Sequence, residues 1–473
     1  MKDSVFNPDS LTGWLGKQRT AEVSKSEQQN KNVFFKASPT PAFFPEDDPE
    51  PSLPTVFGRE TDKTTEPVEA GKEETQPGSL VEGLTEPKTS SESTISIPED
   101  SSYTVPGVYV EEIQSIQPIQ GVLTDITAFV GITETKPAGN EPPLLNGFLE
   151  YQQYYGGFLP ESMGQYGVLP HAVKSFFENG GTRCYIISIT PVDINHIVSD
   201  DFLDTGLSAL EQLKDVRIVA IPGVFNVDIQ QGFIDHCEAM KDRFAILDMP
   251  DTIEDVSDLH EHREHFDSSY AAFYHPWLQT QDTEKGETRY IPPSGAIAGI
   301  YGANDKTRGV HKAPANIPVS GIIGLKYTVT ENEQEDLNPD GINAIRFFPG
   351  RGTLVWGART CSSDEEYKYV NVKRYVLYLN QSIREGTEWT IYEPNNEQLW
   401  ARTVQSVENF LNSEWRNGAL MGTKPEQAYF VKMDRTTMTV NDLEQEKRIL
   451  IFGVATTKPA EFIVVSILHN ENP

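Results

Sequence analysis

Cysteine, positive charge and long apolar runs are all scarce in this chain. Three cysteines, Cys184, Cys237 and Cys361, lie far apart among 473 residues, with no C-x-x-C spacing. An odd, scattered set of this kind argues against a disulfide framework and for a reduced compartment. Lys and Arg number 39 against 70 Asp and Glu, a formal charge of −31. Such a surface repels phosphates and anionic headgroups, so neither nucleic acid nor a membrane is expected as the main partner. No uninterrupted apolar run reaches the length that spans a bilayer, and the N-terminus shows no charged-then-apolar leader. The expectation is a soluble protein made in the cytoplasm, leaving by lysis or as part of an assembly.

The length implies two or three domains. Residues 1–100 are rich in Ser, Thr, Pro, Glu and Lys and carry too little apolar surface to offset the entropy of ordering, so a flexible low-complexity extension is expected. Trp14 and the pairs Phe34-Phe35 and Phe43-Phe44 interrupt it, either as short docking motifs or as incidental aromatics. From Tyr103 the composition turns strand-like, giving an arm over 101–120 around Val108, Tyr109 and Val110. Between 121 and 340, apolar runs at 125–131, 183–189, 216–221, 243–248 and 270–274 alternate with helical periodicity at 147–157, 167–181, 202–213, 229–241 and 256–265. That alternation predicts an α/β domain with a mainly parallel sheet covered on both faces. The Gly- and Ala-rich run 295–302 predicts a helix that sits close to the sheet, and the acidic run 330–340 reads as a loop.

Residues 341–458 read as an α+β module. Two strands flank Pro349-Gly-Arg-Gly352, as at a hairpin. Helices follow at 369–384 and 397–415, with a short strand at 389–392 between them. The chain closes on an arm over 459–473 whose apolar residues Phe462, Ile463, Val464, Val465 and Ile467 form a strand with no evident partner. It either folds back on 448–455 or presents an open edge to another chain.

Several ordered blocks resemble the contractile tail sheath proteins of bacteriophage tails, phage-tail-like bacteriocins and extracellular contractile injection systems. They are Pro106-Gly-Val-Tyr-Val-Glu-Glu112, Phe129-Val-Gly131, Phe176-Phe-Glu-Asn-Gly-Gly181, Phe348-Pro-Gly-Arg-Gly352, Trp356-Gly-Ala-Arg-Thr360, Tyr369-Val-Asn-Val-Lys-Arg374, Ser382-Ile-Arg-Glu-Gly-Thr387 and Glu393-Pro-Asn-Asn396. The resemblance implies a subtilisin-like central domain and a subunit of hexameric rings stacked around an inner tube, with baseplate and terminal cap proteins as further partners. It also implies that both arms add strands to the sheets of neighbouring copies, and that a C-terminal helix faces the tube. By position that helix is 397–415, offering Arg402, Glu408, Glu414 and Arg416; the alternative, 369–384, offers Lys373, Arg374 and Arg384. The 1–100 extension departs from the family pattern and fits a specialised paralogue near the end of the particle or its baseplate.

The rival reading is an α/β hydrolase, since Ser294, Ser320, His171, His236 and His275 supply the residue types of a nucleophile and its base. No G-x-S-x-G elbow is present. A non-contractile adaptor of the same assembly is a third reading. In Leu259-His-Glu-His-Arg-Glu-His-Phe266 the H-E-x-x-H spacing fails at Glu264, which favours a solvated helix face over a metal site. Phe348-Pro-Gly-Arg-Gly352 lacks the Lys-Ser/Thr of a P-loop, so Arg351 belongs either to a turn or to a pair across a subunit boundary. The expectation is a structural protein with no catalytic site, cofactor or metal.

Overall fold

In the computed structural model the described residues are 117–461, apart from 140, 190–198, 253–254, 282–285 and 287. The 1–100 extension, Val108, Tyr109 and Val110, and Phe462, Ile463, Val464, Val465 and Ile467 lie outside them.

Strand β1 (Thr127–Ile132) is buried along its whole length, as a strand covered on both faces must be. Helices α1 (Phe148–Tyr155) and α2 (Leu169–Glu178) lead to β2 (Cys184–Ile189). Helix α3 (199–212), with a π turn at Leu203–Leu207, precedes β3 (Ile218–Ala220). Then follow α4 (Val227–Met240), β4 (Phe244–Asp248), α5 (Val256–Arg263), β5 (Ala271–His275), β6 (Leu278–Gln281), β7 (Thr288–Ile291) and α6 (Ser294–Arg308). Strands β8 (Ile317–Pro318) and β9 (Gly324–Leu325) come before α7 (Glu331–Leu337), β10 (Ile342–Phe348) and β11 (Gly352–Val355). Eight strands form one sheet in the order β2-β1-β3-β4-β5-β10-β11-β8. It is parallel from β2 through β10 and antiparallel only in β11 and β8, so the mainly parallel α/β reading holds. A small sheet β7-β6-β9 stands beside it.

Two sequence expectations need correction. The run 330–340 contains α7, because Thr330 and Glu333 close a reciprocal capping box that satisfies the first orphan donors of the helix. Residues 389–392 do not form a strand: Glu388–Thr390 is a 3₁₀ turn, and Tyr392 has φ 68°. Helix α6 packs against β3 and β4 of the sheet, as expected, and its glycines also admit a second neighbour: a Cβ on Gly295 or Gly299 would lie 2.2 or 2.3 Å from the carbonyl oxygens of Ala172 or Phe176 in α2. The hairpin at Pro349-Gly-Arg-Gly352 is present, yet β10 pairs with β5, Ile342 opposite Phe273, and so extends the central sheet.

Beyond it come α8 (Val370–Gly386), α9 (Glu397–Arg416), α10 (Pro425–Ala428), β12 (Tyr429–Lys432), α11 (Val440–Glu444) and β13 (Ile451–Val454). Both long helices have one apolar stripe: Tyr375, Leu379 and Ile383 of α8 meet Val407, Phe410 and Leu411 of α9 in a second hydrophobic core. Antiparallel β12 and β13 form a separate two-stranded sheet.

Candidate assembly surfaces

Helix α8 is a buried strut. Arg374 forms a two-pronged pair with Asp305 of α6, at 3.0 and 2.6 Å, and donates to the Thr124 carbonyl at 3.1 Å. Lys373 lies 3.7 Å from the centroid of the Tyr270 ring. Both cations are buried, so among the three offered by this helix only Arg384 faces solvent.

Helix α9 is capped by Asn396, whose Oδ1 accepts from the Leu399 amide at 2.9 Å. Its outer face exposes Glu408 and Arg416, while half-buried Arg402 lies over the Trp389 ring at 4.9 Å. Glu414 turns inward: it accepts from the Tyr375 and Tyr378 hydroxyls at 3.0 and 3.2 Å, and burial raises its pKa. The sequence reading grouped these four residues, and the geometry divides them because 414 sits over the apolar stripe of α8.

The described chain begins and ends on this layer. Ser406 of α9 donates to the Gln117 carbonyl at 2.6 Å. At the other end Arg359 makes a two-pronged pair with Glu461, and Asn371 of α8 donates to the Thr457 carbonyl at 3.2 Å. Arg359 and Ser406 therefore fix the two points from which the arm sequences depart, which their polar residue types alone did not reveal. Among the described residues, neither β12 nor β13 has a second strand partner along its outer edge. A two-stranded sheet is marginal by itself in water.

The residues of the hydrolase reading are dispersed. Ser294 is fully buried at the start of α6, and its hydroxyl donates to Asp248 Oδ2 at 2.7 Å with no imidazole between them. Asp248 also accepts from the Gly223 and Ser294 amides at 3.0 and 2.8 Å; burial pushes its pKa up to about 6 against these bonds. His236 lies against Arg243, His171 stacks on Phe158, and His275 faces Tyr327. Ser320 uses its amide on Asn179. In the histidine cluster, His262 is turned inward onto Gln230 Oε1 at 2.8 Å, which departs from a solvated face, while His260 pairs with Asp340. All three cysteines are buried and free, as small core residues.

Comparison with known proteins accords with this architecture. Residues 196–361 match the phage tail sheath protein central domain, and residues 362–468 match the phage tail sheath C-terminal domain. The sheath complex of the extracellular contractile injection system PVC, solved in its contracted state, is 30% identical, covers 78% of this chain and 99% of its own, and superposes with a TM-score of 0.66. The contracted helical sheath of the anti-feeding prophage is 28% identical over 78% of this chain and 100% of its own, with a TM-score of 0.63. The tail sheath protein of Escherichia phage P2 is 22% identical over 45% of this chain and 54% of its own. For the major tail sheath protein of Serratia phage KSP20 the figures are 26%, 45% and 53%. The chain thus spans about half the length of these curated relatives. Two sheath domains matched in order, and nearly the whole of a solved injection-system sheath matched at 30% identity, place this chain in the phage tail sheath family.

Proposed function

We propose that the protein is a structural, non-catalytic subunit of a contractile sheath. Copies form hexameric rings that stack around an inner tube and shorten to drive it through a target envelope, with the baseplate and a terminal cap closing the ends. The observation that supports this reading is the sheet β12–β13, which among the described residues has two strands and no strand partner along either outer edge, in a chain with two outlying strand sequences. Strands 108–110 and 462–467 of neighbouring copies complete it, giving four strands from three chains. Each backbone hydrogen bond contributes about 0.5–1.5 kcal/mol net, so the mesh is strong through repetition while each joint can hinge. Two subunit packings of unequal free energy then suffice to store and release work without a nucleotide.

The outer face of α9, with Arg402, Glu408 and Arg416, is the surface we assign to the tube, while Glu414 supports it from within. The central domain takes the subtilisin-like role of a scaffold, its serine and aspartate used for structure. Synthesis in the cytoplasm and incorporation into a tail or tail-like particle follow from this reading. Negative-stain imaging of the full chain, alone and with a tube protein, tests it: striated sleeves or rings are expected, and a monodisperse monomer at high concentration overturns it.

A further inference from the structure

The last described residues of the chain form a strap that is tied to both cores. Just after β13 the Ala455 amide donates to the Ala428 carbonyl at 2.8 Å, the Ala455 carbonyl accepts from the Met421 amide at 2.8 Å, and Thr456 bridges Leu420, all on the second core. Asn371 Nδ2 of α8 then donates to the Thr457 carbonyl at 3.2 Å, and Lys458 Nζ reaches the Glu365 carbonyl at 3.4 Å. At the end of the strap Glu461 meets Arg359, whose Nε donates to Oε1 at 2.9 Å and whose Nη2 donates to Oε2. Such a two-pronged fork fixes direction as well as distance, which a lysine cannot do. Tyr369 adds a side-chain hydrogen bond to the same carboxylate.

Arg359 is itself locked into the central sheet. Its amide donates to Asn343 Oδ1 at 2.7 Å, and its carbonyl accepts from Asn343 Nδ2 at 2.8 Å. Asn343 is fully buried in β10, and the same Nδ2 donates to the Phe273 carbonyl of β5 at 3.0 Å. Arg359 Nη1 donates in addition to the Asn338 carbonyl, at the end of α7, at 2.8 Å. The fit leaves no slack, since a Cβ on Gly357 would lie 2.7 Å from Asn343 Oδ1. The Arg359 side chain is 7% exposed and that of Glu461 19%, so solvent ions screen the pair little.

We infer that the Arg359–Glu461 pair is a positioning clasp for the C-terminal arm: it sets the joint of the arm after residue 461 instead of at the end of β13, and it passes a pull on strand 462–467 through Asn343 to β5 and β10. A neighbour that holds the arm therefore acts on the central sheet directly. The inference rests on the sheath reading, and it adds to it a residue pair within one subunit that aims the arm and couples it to the central domain.

Two measurements on the full chain test it: assembly, by sedimentation and negative stain, and the anisotropy of a dye on Ala460→Cys below the assembly concentration. Ala460 is exposed and next to the clasp, and the native cysteines are buried, so the dye reports the end of the strap. Glu461→Gln keeps the side-chain shape and removes the charge that holds both prongs. It is expected to lower the anisotropy and to raise the concentration needed for sleeves by about tenfold, the worth of a charge-assisted hydrogen bond. Arg359→Lys keeps the charge but not the fork and should fall between wild type and Glu461→Gln in both measurements. Unfolding in urea, followed alongside, is expected to show a cooperative transition in each variant. Glu461→Gln that assembles at the wild-type concentration overturns the clasp. So does a variant that loses assembly with the anisotropy unchanged, because the pair then supports the fold without aiming the arm. A wild-type chain that never assembles overturns the sheath reading, while the anisotropy still decides whether Glu461 holds the strap in place.

Discussion

At the residue scale, the Ser294–Asp248 pair shows how a constellation that resembles catalytic chemistry serves the fold. Asp248 is fully buried, and its three accepted hydrogen bonds tie the end of β4 to the Gly223 turn and the start of α6. Its folded pKa of about 6 lies above its ordinary value of 3.8, so the folded state binds the proton more tightly. Asp248 therefore contributes most stability below about pH 4 and loses it as pH rises toward 6, a change of roughly 3 kcal/mol. The difference in unfolding free energy between wild type and Asp248→Asn, followed in urea from pH 4 to 7, should decline through that window and then level off. A difference independent of pH would contradict the assignment. Gly295 and Gly299 give a second residue-scale prediction: Gly295→Ala or Gly299→Ala forces α6 away from α2 and should lower stability by about 1–3 kcal/mol, read as an earlier urea midpoint.

At the scale of elements, the buried Arg374–Asp305 pair joins α8 to α6 and so couples the second core to the central sheet. Arg374→Met leaves Asp305 buried without its counter-charge and should cost about 3–5 kcal/mol, whereas Arg374→Met with Asp305→Leu should recover much of that. Chemical unfolding of the three variants separates the pair's own worth from the penalty of breaking it. These elements also mark how far sequence reaches. Helices α8 and α9 were readable because Val372, Tyr375 and Leu379, and Val407, Phe410 and Leu411, repeat at helical spacing. Helix α7 was hidden because Leu337 is its one buried side chain and its start is signalled only by Thr330 and Glu333. Trp389-Thr-Ile-Tyr392 has strand-forming residue types, but a strand needs a neighbour, and Trp389 instead covers Arg402. Strands β8 and β9, two residues each, are too short to leave a pattern. The candidate surface was legible as a helix but not by side chain: inward Glu414 and outward Glu408 differ by where α8 lies, which periodicity locates only approximately.

At the scale of the whole molecule, the sheath reading separates contacts between copies from contacts with the tube. A chain ending at Glu461 retains every described element and should unfold as wild type does in urea, yet form no sleeves. Glu408→Lys with Arg416→Glu should leave free sleeves intact and reduce decoration of tubes, because those side chains face outward from α9. The most direct test of the central claim is a cryo-electron microscopy map of the assembled sleeve at side-chain resolution. The account predicts that the β12–β13 sheet of each subunit is flanked by strand 108–110 from one neighbour and strand 462–467 from another. A sheet left with two strands, or completed by the arms of its own chain, would contradict it.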